Sequence, residues 1–283
     1  MSLAIARGRV RHGTSGLRAQ ATSALRGRGM EYAESRAYAI GDDARHIDWR
    51  LTARSGKPHT KLYQAERERL SLLLVDTAPA LYFGTRVRFK SVQAARAGAI
   101  AAWRAVADGD RVAALRGSEQ EPPVPAAGGV RGALRVLDAL VRWYERPPGD
   151  DAGLAVGLGH AARLLRSGSR LLVLADPASA AAVPAERWAA VAARHQVVAV
   201  LLTDPLEMSP PRAALSFASG GPGRGGRLEL DLGDAAQRRR WDGAFADAVA
   251  FTVATLAARG VRAVALSTDA SSDAWLAAAE GPH

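Results

Sequence analysis

No cysteine occurs in the 283 residues. Disulfides, thiolate metal sites and thiol nucleophiles are therefore excluded, and a reducing compartment is the expected setting. Long apolar runs are missing too. No segment reaches the roughly 18 uninterrupted apolar residues of a membrane span; the longest candidate, Ala248 to Ala258, is too short. The opening stretch MSLAIARGRVRHG lacks the apolar core of a signal peptide. A soluble, cytoplasmic protein is expected. Lysine is scarce: Lys57, Lys61 and Lys90 stand against 35 arginines. Aromatics make up 6 % of the chain, and none form a row beside basic residues on which nucleic-acid bases would stack.

Several catalytic and binding signatures are absent as well. There is no GxxxxGK[ST], no HExxH and no GxSxG. The six histidines are scattered, with no pair at the helical spacing of metal ligands. The glycines of Gly220 to Gly226 join two predicted strands and open no helix, so they do not form a dinucleotide fingerprint.

What is present begins with charge. The net charge is +10, and residues 1–70 carry 14 basic against 7 acidic groups. A basic N-terminal quarter is the footprint of an anionic partner, while the arginine-for-lysine bias and the alanine content have a purely compositional origin open to them.

From Arg69 the texture changes. RLSLLLVD (Arg69 to Asp76) is a continuous apolar run that ends in an acid, as expected of a strand buried on both faces. Strands of the same kind are predicted over Asp110 to Gly117, Ser169 to Asp176, Gln196 to Asp204 and Val261 to Asp269. Between them lie predicted helices. One covers Phe89 to Gly109, with Ser91 as a candidate cap. A second, Val130 to Glu145, is expected to turn Leu134, Leu137, Val141 and Tyr144 inward. Others run from Leu154, over Ala185 to Arg194, and as one long helix from Asp234 to Gly260, with a short one holding Trp275. EQEPPVPAAGG reads as a loop, and AALSFAS with GGRLELDLG as a hairpin. Strands separated by helices imply an α/β fold with a mostly parallel central sheet and helices on both faces, a Rossmann-like arrangement, preceded by a charged N-terminal segment. Acids at strand ends fall where such sheets bind ligands.

At the first of these ends, Asp76 is followed by Ala78 and Ala80. The stretch resembles the von Willebrand factor A domain, in which the strand ends in DxSxS and the Asp and Ser oxygens reach a divalent cation, usually Mg²⁺. The resemblance implies Asp176 as the second acid. Alanine methyls cannot ligate a hard cation that demands near-octahedral oxygens. No cofactor is therefore expected, with Asp76 and Asp176 left as a weak Mg²⁺ pair or as acids that cap helices or bind arginine.

Upstream, GRGMEYAESRAYAIGDDARHIDWRLTARSGKPHTKLYQAERERLSLLLVD (Gly27 to Asp76) is similar to the signature of the domain of unknown function fifty-eight family. The resemblance implies an A-type domain over residues 68–283 behind a charged segment of short strands and turns over residues 1–67. It also implies a MoxR-type AAA+ ATPase as partner in a chaperone-like or assembly role, without enzymatic activity. The matching positions Arg36, Tyr38, Gly41, Asp42, Asp43, Arg45, Asp48, Trp49, Arg50 and Arg54 are the candidate interaction residues. As a clasp, their Arg–Asp pairs hold the segment on the domain with Trp49 in its core, Arg45 and Asp48 pairing at i,i+3, and His59 to Glu66 as an edge strand beside Arg69 to Asp76. As a docking surface, they offer arginine and tryptophan, the residues enriched at interface hot spots. Two rival functions remain: a metal-dependent hydrolase using Asp42, Asp43, Asp48 and Asp76 with His46 as base, and a nucleic-acid binder using the basic N-terminus.

Overall fold

The computed structural model describes residues 30–39, 42–65, 69–219 and 226–279. They fall into two compact units, divided after Arg67.

In the first unit, strands β1 (Met30–Ala37) and β2 (His59–Ala65) pair antiparallel, with Arg36 opposite Thr60 and Ala37 opposite His59. The chain between them makes a 3-10 turn, Ala44–His46, and helix α1 (Trp49–Ser55). Asp48 caps α1 by accepting from the amides of Arg50 and Leu51, and Gly56, at φ +70°, ends it in the left-handed conformation that glycine adopts without a Cβ penalty. The segment is thus a hairpin carrying a capped helix. The partner of β2 is β1 rather than the Arg69 to Asp76 strand, because both flanks of that strand are already taken by parallel neighbours.

The second unit is built on a six-stranded sheet. Strands β3 (Leu70–Val75), β4 (Arg111–Arg116), β5 (Val124–Ala127), β6 (Arg170–Ala175), β7 (Gln196–Thr203) and β10 (Arg262–Ser267) lie in the order β10-β7-β6-β3-β4-β5. All pairings are parallel except β4 with the edge strand β5. The expected mixed α/β architecture with a mostly parallel sheet is therefore present. The two strands β8 (Ala214–Ser219) and β9 (Gly226–Asp231) form the expected hairpin.

Alternation along β3 sends Leu73 and Val75 to one face and Leu72 and Leu74 to the other. Helices α2 (Lys90–Ala107), α3 (Gly129–Tyr144) and α10 (Trp275–Ala279) cover the first face; α4 (Leu154–Leu164), α5 (Pro177–Ala181), α6 (Ala185–Ala192) and α9 (Ala246–Ala257) cover the second. Two further helices, α7 (Pro205–Met208) and α8 (Ala235–Ala244), complete the unit. Gly98 lets α2 approach α3: a Cβ there would stand 2.9 Å from Leu140 Cδ1. No helix among the described residues is long and apolar enough to cross a membrane.

Four local expectations are corrected. The Pro-rich loop contains β5, whose edge position tolerates proline because one flank needs no ladder bond. Ser91 lies inside α2, which starts after Phe89 without a side-chain cap. The long helix breaks at Phe245 (φ −121°, ψ −76°), where the Trp241 ring packs between Phe217 and Phe245. On α3 the buried stripe is Ala133, Val136, Leu140 and Trp143; of the residues expected inside, Tyr144 is buried, but Leu134 and Val141 are exposed. Both stripes have helical spacing, and the one carrying Trp143 faces the sheet.

This phase of α3 has a direct consequence. Leu140→Ala lowers stability by about 2–5 kcal/mol, whereas the neighbouring Val141→Ala stays within about 0.5 kcal/mol of wild type, as read by urea unfolding.

Candidate functional site

The carboxyl ends of the parallel strands bring together side chains far apart in sequence: Asp76 after β3, Asp176 after β6, Asp204 after β7 and Thr268 after β10, all buried. Sequence expectations placed Asp76 and Asp176 side by side, and they are: the Asp176 amide donates to Asp76 Oδ2 at 3.0 Å. Asp76 Oδ1 accepts from the Ala78 amide at 2.9 Å. Asp176 caps α5 through Oδ1.

The other Asp176 oxygen is held by a residue that sequence reasoning missed. Lys90, only 1 % exposed, places Nζ 2.7 Å from Asp176 Oδ2 and 2.7 Å from Glu207 Oε1. The ammonium also lies over the Phe83 ring, 5.9 Å from its centre. Glu207 is fixed in turn, because its Oε2 accepts from the Asp204 amide at 2.9 Å within a capping box on α7. Asp204 completes the chain of contacts. Its carboxylate accepts from the Thr85 amide (3.0 Å), the Thr85 hydroxyl, the Leu206 amide (3.0 Å) and the Thr268 hydroxyl (2.8 Å).

A lysine in the first turn of α2 opposes the helix dipole, which favours anions there. Burial also penalises its charge, yet the attraction of Asp176 and Glu207 outweighs that penalty and raises the Lys90 pKa. Burial pushes Asp76 up, and it pushes Glu207 up despite Lys90. For Asp204 burial acts upward too, but the bonds from Thr85, Leu206 and Thr268 prevail and lower its pKa.

A Mg²⁺ ion does not fit this donor set. Ala78 and Ala80 supply no oxygen, both Asp76 oxygens face backbone N–H groups, and the free oxygen of Asp176 is bonded to an ammonium. Of the two acids expected to cap helices or bind arginine, Asp176 caps α5 and binds lysine rather than arginine, while Asp76 caps no helix and accepts from the amides of Ala78 and Asp176. Two signals pointed to Lys90: its rarity in an arginine-rich chain, and its place at the start of a helix.

The interaction candidates of the first unit are held in local pairs. Arg36 donates to Asp42 Oδ1 at 2.7 Å, and the Tyr38 hydroxyl donates to the Asp42 carbonyl. The Ala39 amide and the Arg36 guanidinium draw the Asp42 pKa down. Asp43 pairs with Arg45 at 2.6 Å, which holds its carboxyl well below the usual range. Among the described residues Asp48 pairs with no arginine; it caps α1 and accepts from Ser35 Oγ, so the expected Arg45–Asp48 pair is replaced by Arg45–Asp43. Trp49, placed in a core by the clasp expectation, is 70 % exposed, because capping by Asp48 fixes it on the outer turn of α1. Arg50 and Arg54 are exposed beside it, His46 lies in the 3-10 turn, and Gly41 falls outside the described residues. Among the described residues no group of three or more His, Asp or Glu is placed to hold a metal ion.

A family model described as "Protein of unknown function DUF58" matches residues 34–250. The chain is 32 % identical over 190 residues to uncharacterized proteins of Mycobacterium tuberculosis and Mycobacterium bovis, a match covering 65 % of this chain and 58 % of theirs. It thus spans about three fifths of the length of the curated relatives it matches. Among solved structures it is similar to the conserved hypothetical protein BatB of Bacteroides thetaiotaomicron (13 % identity, TM-score 0.46, 75 % of this chain and 96 % of that one). It is also similar to an aerotolerance-related membrane protein of Bacteroides fragilis (12 % identity, TM-score 0.41, 74 % and 96 %).

Lys90→Met leaves two buried carboxylates without their counter-charge and lowers stability by about 3–5 kcal/mol, while millimolar MgCl₂ or EDTA leaves the wild-type melting midpoint unmoved. Circular dichroism melts check both; a midpoint that rises by several degrees with Mg²⁺ contradicts the assignment. Because the folded-state pKa of Asp204 lies below its unfolded value, its contribution is present above about pH 4 and is lost as pH falls through the depressed value. Asp204→Asn is accordingly less stable than wild type at pH 7, and the gap closes as the pH is taken below about 4.

Proposed function

The chain belongs to the DUF58 family, and we propose that it is a non-enzymatic protein-interaction module that acts as an adaptor for a MoxR-type AAA+ ATPase, in a chaperone-like or assembly role in the cytoplasm. In this reading the second unit is a von Willebrand factor A-like domain whose metal position has been given over to Lys90. The resemblance of Gly27 to Asp76 to the family signature supports the choice of partner.

One observation carries the interaction role. Trp49 is held out from a short helix that is capped at both ends, with Arg50 and Arg54 exposed on the same helix. Exposing an indole in this way has no stabilising return within its own unit, and buried tryptophan and arginine anchors dominate interface energetics. The pairs Arg36–Asp42 and Arg45–Asp43 shape the turn that presents the helix; being exposed, they contribute geometry more than stability. At the carboxyl edge, every acid near Lys90 is committed to a donor inside the protein, which leaves recognition to surfaces such as α1.

The test is capture of the purified MoxR-type ATPase by immobilised chain. Trp49→Ala and Arg50→Ala keep the wild-type melting midpoint, since both residues are exposed. Each lowers ATPase capture by about tenfold or more. Wild-type capture by the folded double variant contradicts docking through α1.

A further inference from the structure

At the amino ends of the strands, opposite the Lys90 cluster, the second unit holds a cavity of about 710 Å³. Its lining comes from the starts of β3, β6, β7 and β10, the last turns of α2, and α10. Leu73, Ala101, Ala105, Leu172, Val198 and Leu276 make much of the wall apolar. The volume lies within the range of sites for small organic ligands, roughly 300–1,000 Å³.

Among the described residues, two buried polar atoms on this wall lack a partner. Trp275, 5 % exposed, lines the cavity, and its indole Nε1 is buried with nothing to donate to among the described residues. His195 lines it as well, and its Nδ1 is likewise buried and unpartnered. Native interiors rarely leave such groups unmatched, because an unmade buried bond forfeits the hydration it replaced.

Charge narrows the ligand further. Among the described residues the lining includes Arg104, Arg170 and Arg262 against the acid Asp108. Asp108 serves two of the three, at 2.5 Å from Arg170 and 3.5 Å from Arg104. Asp110 also lies 3.6 Å from Arg170, but its oxygens are taken by Arg69 and Ser71. Arg262 donates to the carbonyl of Ala279. The wall therefore carries an excess of positive charge next to an apolar floor and an unused indole donor.

We propose that this cavity binds a small amphipathic carboxylate, with its hydrocarbon body over Leu73, Leu172 and Val198 and its anionic head met by the arginines and Trp275 Nε1. This site is separate from the α1 surface and stands whether or not that surface docks an ATPase.

Calorimetric titration of the full chain with decanoate tests the proposal, with decyltrimethylammonium as a probe of equal tail and opposite charge. Decanoate saturates one site and the ammonium does not. Trp275→Phe keeps an aromatic six-membered ring, removes the donor, and weakens decanoate about fivefold while the variant still unfolds in a cooperative melt. Ala101→Phe, which fills part of the cavity, abolishes binding. No saturable binding of decanoate to wild type, equal binding of both probes, or wild-type decanoate affinity in Trp275→Phe overturns the proposal.

Discussion

The buried contact of Lys90 with Asp176 and Glu207 is the interaction around which the carboxyl edge of the sheet is arranged. It joins the start of α2, the end of β6 and the short helix after β7, three elements that the chain visits at widely spaced points. Each partner has a second commitment. Asp176 caps α5 and touches Asp76 through its amide, and Glu207 closes the capping box on Asp204. An ammonium suits the place better than a guanidinium would: it is compact, and its donors can be aimed at two carboxylates that share no plane. Buried ion pairs are weak sources of net stability, but they are costly to break from one side. The cluster therefore works as a registration device that fixes where α2 and α7 meet the sheet.

That arrangement also bears on recognition. In an open α/β sheet the crevice beyond the strand ends is the usual place for a ligand. Here that edge holds Lys90, bonded to Asp176 and Glu207, and the side chains of Ala78 and Ala80 bring no oxygen to it. Among the described residues, buried polar atoms without a partner occur at both ends of the strands, Arg116 Nε and Nη1 at the carboxyl edge and Trp275 Nε1 and His195 Nδ1 on the cavity wall at the other.

The sheet was legible in the sequence because parallel strands buried on both faces must be continuously apolar, and LSLLLV, RLLVLA and QVVAVLLT announce themselves in that way. Their terminal acids were equally visible. What those acids bind was not, since Lys90 is 86 positions from Asp176 and 117 from Glu207, and nothing local to any of the three names the others. Helix α3 misled because Leu134 to Tyr144 and Ala133 to Trp143 both repeat at helical spacing, and only the neighbouring α2 and sheet decide between them. The VPAA edge strand hid behind its prolines, which are tolerated where one side of the ladder is open. In the charged segment, Asp48 was read as an arginine partner when its shorter route was to the two amides directly ahead of it.

The central claim is that an internal ammonium, not a metal ion, balances the acids at the strand ends. Crystals soaked in Mn²⁺ and measured at the manganese absorption edge test it most directly. The account predicts side-chain density for Lys90 between Asp176 and Glu207 and no anomalous peak within bonding distance of Asp76 or Asp176. A strong peak bridging those two aspartates, with Lys90 swung away, contradicts it.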